Sequence, residues 1–151
     1  MFIKKSKSEF NIQKINNSYF ARSYSLSGSI KVPGDKSISQ RALIISLIST
    51  GKTIIEDILD SEDVYHTMKA VIQLGATLRV NNNYIEVKGV GLGNLSTPKK
   101  PIYMGNSGTG TRLLLGLVAG SNALVTFYGD SSLTERPMDR ILLPLKEPWL
   151  Y

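Results

Sequence analysis

The sequence predicts an α/β protein built from repeated β-α-β-α-β-β units, of which nearly two are present. Helix patterns with clear start and stop residues alternate with short β-branched segments along most of the 151 residues. A glycine turn, a polar helix start, an arginine and an apolar helix body also occur twice, at residues 34–43 and 105–114. Because the same design returns after a shift of 71 residues, we interpret the two stretches as an internal structural repeat.

The first unit contains two helices with recognisable ends. Ser37 is a favourable N-cap and Gly51 a favourable C-terminal stop, which predicts a helix of about four turns. Ser61, which two acidic residues follow, starts a second helix, and Gly75 ends it. The strands predicted around these helices are residues 28–33, the buried segment 53–59, and the hairpin of residues 77–80 and 84–87.

The second unit follows a glycine- and proline-rich loop at residues 89–101. The pattern predicts a strand at residues 102–105, a helix at 109–119, a strand at 123–128 and a helix at 136–146. The closing hairpin of this unit is absent because the sequence ends at Tyr151.

The composition excludes several kinds of functional site. The absence of cysteine excludes disulfides, thiolate zinc sites and a cysteine nucleophile, and it favours a cytoplasmic location. His66 is the only histidine, which excludes a histidine-rich metal site. We interpret His66 as structural, because apolar residues surround it on its predicted helix face. The longest apolar stretches are too short to span a membrane, so no membrane association is expected.

The net charge of +6 arises mostly from the first 25 residues, where five basic residues face one acidic residue. The rest of the chain holds 13 basic and 11 acidic residues. A nucleic-acid-binding surface would need a basic face on the folded part, so no nucleic-acid partner is expected. Residues 1–25 lack an apolar segment followed by a cleavage site, and we interpret them as an N-terminal extension rather than a secretory signal.

The first candidate site is the turn at residues 34–37, between a predicted strand and a predicted helix. Backbone N–H groups and the positive end of the helix dipole favour an anion at such a turn. Lys36 adds a cation, and Arg41 lies one helical turn after the hydroxyl of Ser37. An ordinary capped helix with exposed basic residues would produce the same pattern.

The second candidate site is the glycine-rich segment 105–112, which also precedes a helix. Three glycines within six residues allow the backbone to approach a ligand closely. The segment lacks the Gly-Lys-Ser/Thr ending of a P-loop, so a nucleotide site is not favoured. A connecting turn without function remains the alternative.

The third candidate site is the segment 129–138, where Pro137 is predicted as the first helical residue. Arg136 would then lie at a helix start, where a cation opposes the helix dipole. That position is unfavourable unless an anion binds there or Glu135 offsets the charge. The segment therefore indicates a binding function.

The three segments together resemble the enolpyruvyl transferase family. Residues 33–41 match its Pro-Gly-Asp/Ser-Lys-Ser-x-Ser-x-Arg motif, and residues 105–109 match its Gly-Asn-x-Gly/Ala-Thr motif. Residues 129–138 match its Gly-Asp-x-Ser-Leu-x-x-Arg-Pro-Met motif. The resemblance covers about residues 26–147 and is strongest to the branch that acts on shikimate 3-phosphate.

This resemblance implies transfer of the enolpyruvyl group of phosphoenolpyruvate to the 5-hydroxyl of shikimate 3-phosphate, without a metal or organic cofactor. It also implies an inside-out α/β barrel fold with two domains of three units each. The acid–base groups of the family lie in the other domain, beyond Tyr151. The resemblance implies that Lys36, Ser37 and Arg41 contact shikimate 3-phosphate. It implies that phosphoenolpyruvate is bound by Lys36, Asn106, Gly108 and Arg136. Thr109 and Arg112 would support the glycine-rich loop.

The last five residues depart from the family pattern, which would finish this helix with a glycine and enter a strand, whereas Pro148 interrupts the helix abruptly. We therefore expect residues 26–151 to be an incomplete N-terminal domain that is inactive alone. The alternatives are a non-catalytic remnant, or one half of a split enzyme with a separately encoded C-terminal domain. A transferase acting on UDP-N-acetylglucosamine is a further alternative, although that enzyme relies on a cysteine loop.

Overall fold

The computed structural model describes residues 12–15, 18–21 and 28–146. The chain divides into two compact units, Met1–Val32 and Pro33–Tyr151. In the first unit, strands β1 (Ile12–Ile15) and β2 (Ser18–Ala21) form an antiparallel pair that the sequence pattern did not predict. The predicted interruption at Pro148 lies outside the described residues.

The second unit contains the repeated α/β arrangement that the sequence predicts. The elements are α1 (Lys36–Ile48), β3 (Thr50–Glu56), α2 (Glu62–Gln73), β4 (Thr77–Val80), β5 (Tyr84–Val90), β6 (Ile102–Tyr103), α3 (Gly108–Ala119), β7 (Phe127–Tyr128), α4 (Ser131–Thr134) and α5 (Asp139–Lys146). Strands β3, β5 and β4 form an antiparallel sheet in that order, and β6 and β7 form a parallel pair.

Helix caps confirm one predicted start and correct another. Ser61 is the N-cap of α2, as predicted, and its hydroxyl accepts a hydrogen bond from the Val64 amide. Helix α1 begins earlier than predicted, because Asp35 rather than Ser37 is its N-cap. Asp35 Oδ1 accepts the Ile38 amide at 2.8 Å, which allows the helix to start at the residue that follows Asp35.

The predicted strand at residues 28–33 is wrong. An extended segment becomes a strand only when it pairs, and none of the described strands pairs with it. The strand predicted at residues 53–59 begins and ends three residues earlier, as β3. Its bounds are set by pairing with β5, from Thr50↔Val90 to Glu56↔Tyr84. This strand is mostly exposed rather than buried, and its exposed Lys52 forms an ion pair with Glu86 at 2.9 Å.

The helix predicted at residues 136–146 begins later than predicted, and a short helix that was not predicted precedes it. Asp130 caps the short helix α4 by accepting the Leu133 amide at 2.7 Å, and α5 begins only at Asp139. Arg136 and Pro137 lie between the two helices, so Pro137 is not the first residue of a helix. The predicted position of Arg136 at the start of a helix is therefore wrong.

One continuous apolar core lies between the helices and the sheets of the second unit. Helix α1 packs against β3 and β5 of the three-stranded sheet, α2 packs against α1, and the core continues into β6 and α3. Its fully buried side chains include Leu43, Leu47, Val71, Leu74, Val87, Ile102, Met104 and Leu114. Among the described residues, no helix is long and apolar enough to cross a membrane.

Two positions on α1 test the importance of this core. Leu43 is fully buried, whereas Ile45 is 59% exposed. We expect Leu43→Ala to lower the free energy of unfolding by about 2–5 kcal/mol because it leaves a cavity. Ile45→Ala should change it by no more than about 0.5 kcal/mol. Urea unfolding of both variants measures the difference, and equal losses would contradict the assigned orientation of α1.

Candidate functional site

The first predicted site lies at the start of α1. Lys36 is the first helical residue, and its Nζ atom forms an ion pair at 2.8 Å with Asp63 Oδ2 in the first turn of α2. Ser37 is partly buried, and Arg41 is exposed one turn later. An anion that approaches Lys36 would therefore compete with the carboxylate of Asp63.

The second predicted site surrounds the start of α3. Gly105 adopts a left-handed conformation with a φ of 56°, and Ser107 is the N-cap of α3. A Cβ atom at Gly108 would lie 2.8 Å from Nη1 of Arg136 and 3.5 Å from Nη1 of Arg112. Both guanidinium groups therefore lie against this glycine, and cationic charge is concentrated where α3 begins.

Hydrogen bonds hold the two guanidinium groups in place. Arg136 Nη2 donates to Asn106 Oδ1 and, at 3.4 Å, to the hydroxyl of Ser132. Arg112 Nη2 donates to the carbonyl of Pro137 at 3.1 Å. Within the described part of the chain, neither group forms an ion pair with a carboxylate. Together with the positive end of α3, these groups can bind a phosphate or a carboxylate.

Parallel pairing of β6 and β7 brings the second and third motifs together. The two strands end at Tyr103 and Tyr128, so the loops that follow them lie at the same edge. The Asp130 amide donates to the Gly105 carbonyl at 3.0 Å. A Cβ atom at Gly129 would lie 2.5 Å from that carbonyl, so the two loops meet through their backbones.

Gln40 connects the first motif to the second and was not identified from the sequence. Its side chain is fully buried, and its Nε2 atom lies 2.7 Å from Ser107 Oγ, 3.0 Å from Thr67 Oγ1 and 3.3 Å from the Asp63 carbonyl. The motif treats this position as variable. The sequence feature that could have identified Gln40 is a long polar side chain close to the apolar body of a helix.

The structure brings only part of the predicted set into contact. Asn106, Gly108, Arg112 and Arg136 meet at the start of α3. Thr109 is exposed on the same helix. No hydrogen bond or ion pair of the described residues joins Ser37 or Arg41 to these four residues. His66 packs edge-to-face on Tyr103 at 5.1 Å and lies against Gly105. The described residues contain no cluster of carboxylates and histidine that could hold a metal ion.

A family model described as EPSP synthase (3-phosphoshikimate 1-carboxyvinyltransferase) matches residues 21–148. The chain belongs to the EPSP synthase family. It is 47% identical over 127 residues to a 3-phosphoshikimate 1-carboxyvinyltransferase of Leuconostoc citreum, covering 84% of this chain. It is 49% identical over 122 residues to that of Streptococcus uberis, covering 81% of this chain.

Solved EPSP synthase structures show the same inside-out α/β fold. A structure of EPSP synthase from Acinetobacter baumannii superposes with a TM-score of 0.74 at 38% identity, covering 79% of this chain and 27% of that protein. The chain spans 30% of the Leuconostoc relative and 29% of the Streptococcus relative. The match therefore concerns one portion of the family fold, the N-terminal one.

Two glycines of α3 form a matched pair for testing how tightly the site is packed. A Cβ atom at Gly110 would lie 2.7–2.9 Å from side-chain atoms of Ser107, Thr67 and Gln40, whereas one at Gly116 would meet nothing within 4 Å. Gly110→Ala should destabilise the chain by about 1–3 kcal/mol through overpacking. Gly116→Ala should stabilise it by up to about 1 kcal/mol.

Urea unfolding of the two glycine variants measures both changes. Equal stabilities for the two would show that the buried polar cluster has room for an additional methyl group.

Proposed function

We propose that this chain supplies one side of the active site of a 3-phosphoshikimate 1-carboxyvinyltransferase. The reaction transfers the enolpyruvyl group of phosphoenolpyruvate to the 5-hydroxyl of shikimate 3-phosphate and releases phosphate. The observation that carries the proposal is the pair of guanidinium groups at Gly108, without a carboxylate partner among the described residues. Membership of the EPSP synthase family supports the choice of substrates.

The charges of the site are complementary to both proposed substrates. Phosphoenolpyruvate carries a phosphate and a carboxylate, and planar guanidinium groups bind such groups through paired hydrogen bonds. Arg136, together with Asn106 and Gly108, would hold phosphoenolpyruvate at the start of α3. Ser37 and Arg41 would contact shikimate 3-phosphate along α1. We assign Lys36 to both substrates, because a mobile ammonium group can exchange Asp63 for a phosphate oxygen.

The chemical step needs more than the groups assigned above to substrate binding. Enolpyruvyl transfer requires a general acid–base group within hydrogen-bond reach of the reacting atoms. We propose that this group belongs to the second domain, and that residues 26–151 are part of the first domain of a two-domain, cytoplasmic enzyme. Closure of the two domains would exclude water and complete the site.

A chimera tests the role of Arg136. In it, residues 21–148 replace the matching part of the Leuconostoc relative, and phosphate release is measured with both substrates. Arg136→Ala should lower kcat/KM by about 10²–10³-fold, because a charge-assisted contact to the substrate is lost. Arg140→Ala, an exposed arginine on α5, should stay within about twofold.

An Arg136→Ala chimera with a kcat/KM within about threefold of the unsubstituted chimera would refute the assignment of this residue to substrate binding.

The 151 residues expressed alone should release no measurable phosphate from the two substrates. Loss of general acid–base catalysis alone typically costs about 10²–10⁴ in rate, and loss of positioning between two substrates costs more. The unsubstituted chimera is the positive control. Activity of the isolated chain within about tenfold of the chimera would place the catalytic groups in this portion. Activity restored by the separately expressed remainder would identify a split enzyme.

A further inference from the structure

The contacts of Gln40 determine how its side-chain amide is oriented. The Asp63 carbonyl can only accept a hydrogen bond. The hydroxyl of Thr67 already donates to that carbonyl at 2.9 Å, so towards Gln40 it too can only accept. Both neighbours therefore require the NH₂ group of Gln40, and Ser107 Oγ is its third and shortest contact at 2.7 Å.

This orientation of the Gln40 amide leaves its carbonyl oxygen unpaired. The other end of the amide, Oε1, is buried without a hydrogen-bond partner among the described residues. A buried carbonyl without a partner is destabilising, and an apolar side chain of similar size would avoid the penalty. The contacts of the NH₂ group, rather than those of Oε1, therefore fix the position of this side chain.

Ser107 is the group that Gln40 positions within the second motif. Although Ser107 is the N-cap of α3, its hydroxyl does not cap that helix and accepts from Gln40 instead. Its neighbours in sequence are Asn106, which accepts from Arg136, and Gly108, against which the Arg136 guanidinium lies. A shift of Ser107 would therefore move the contacts of Arg136 with Asn106 and with Gly108.

We propose that Gln40 is a positioning residue for the phosphoenolpyruvate half of the site, and that it acts through Ser107. The inference rests on the proposed function, because it assigns the start of α3 to phosphoenolpyruvate. Gln40 touches no substrate in this proposal. It belongs to α1 of the first repeated unit and holds the binding loop of the second repeated unit, so it sets the geometry between the two halves of the site.

Three variants of the chimera described above test this role, with KM measured separately for each substrate. Gln40→Met keeps the approximate length of the side chain but removes the donor. Ser107→Ala removes only the acceptor in the loop and leaves Gln40 two acceptors for its two hydrogens. Ser46→Ala is the control, because Ser46 is also a buried residue of α1 but bonds only within its own helix.

We expect Gln40→Met and Ser107→Ala each to raise KM for phosphoenolpyruvate about tenfold, the effect of losing one ordinary hydrogen bond. KM for shikimate 3-phosphate should change by less than about twofold, as should both constants for Ser46→Ala. The double variant should be no worse than Gln40→Met alone, because the two residues act through one contact. Independent, multiplied effects or equal changes for both substrates would overturn the proposal.

Hydrogen exchange provides a readout that does not depend on activity. In the unliganded chimera, Gln40→Met should speed amide exchange at residues 105–110 by about tenfold or more and leave the amide of Leu47 unchanged. Unchanged exchange in the loop would refute the role of Gln40. An inactive unsubstituted chimera would count against the proposed function alone, and exchange in that protein would still decide whether Gln40 positions the loop.

Discussion

The hydrogen bond from Gln40 to Ser107 joins helix α1 of the first repeated unit to the start of α3 in the second. The two residues are 67 positions apart, and the other contacts between these units are largely apolar. Apolar packing excludes water but is not directional, whereas a hydrogen bond requires a defined distance and angle. This contact therefore sets the relative position of two motifs that the chain alone would leave independent.

Glycines allow the close packing that surrounds this contact. Gly110 leaves space for the polar cluster beneath α3, and Gly129 allows its loop to touch the carbonyl of Gly105. Gly105 in turn needs its left-handed conformation to turn the chain out of β6. Each glycine removes a Cβ atom where another segment lies within 3 Å, so the loops converge without displacing the core.

The two cationic regions of the candidate site differ in how their charge is compensated. Lys36 has a carboxylate partner in Asp63, so this cation is neutralised before any ligand binds. Arg112 and Arg136 lie together at the positive end of α3, where like charges repel and no carboxylate of the described residues offsets them. An anion bound there would relieve this repulsion and would stabilise the folded state through linkage.

Local hydrogen bonds decide which elements could be predicted from the sequence. The second helix, with its ends at Ser61 and Gly75, was predicted correctly. The hairpin around residues 81–83 was also predicted correctly. Both elements depend on neighbours a few positions away. The motifs likewise identify Lys36 and Arg136 as candidate binding residues, because each motif is a short run of consecutive residues.

Tertiary structure alone decided the features that depend on distant partners. Residues 28–33 have a strand pattern, yet a strand requires a second strand to pair with, and pairing is not encoded within six residues. Likewise, the polar character of Gln40 is visible in the sequence, but its acceptors on α2 and at Ser107 become neighbours only when the helices pack. The sequence by itself determined helices α1, α2 and α3, the repeat and the chemistry of the motifs, because these depend on local spacing. The contacts between those motifs required the fold, because packing brings together residues that no local pattern connects.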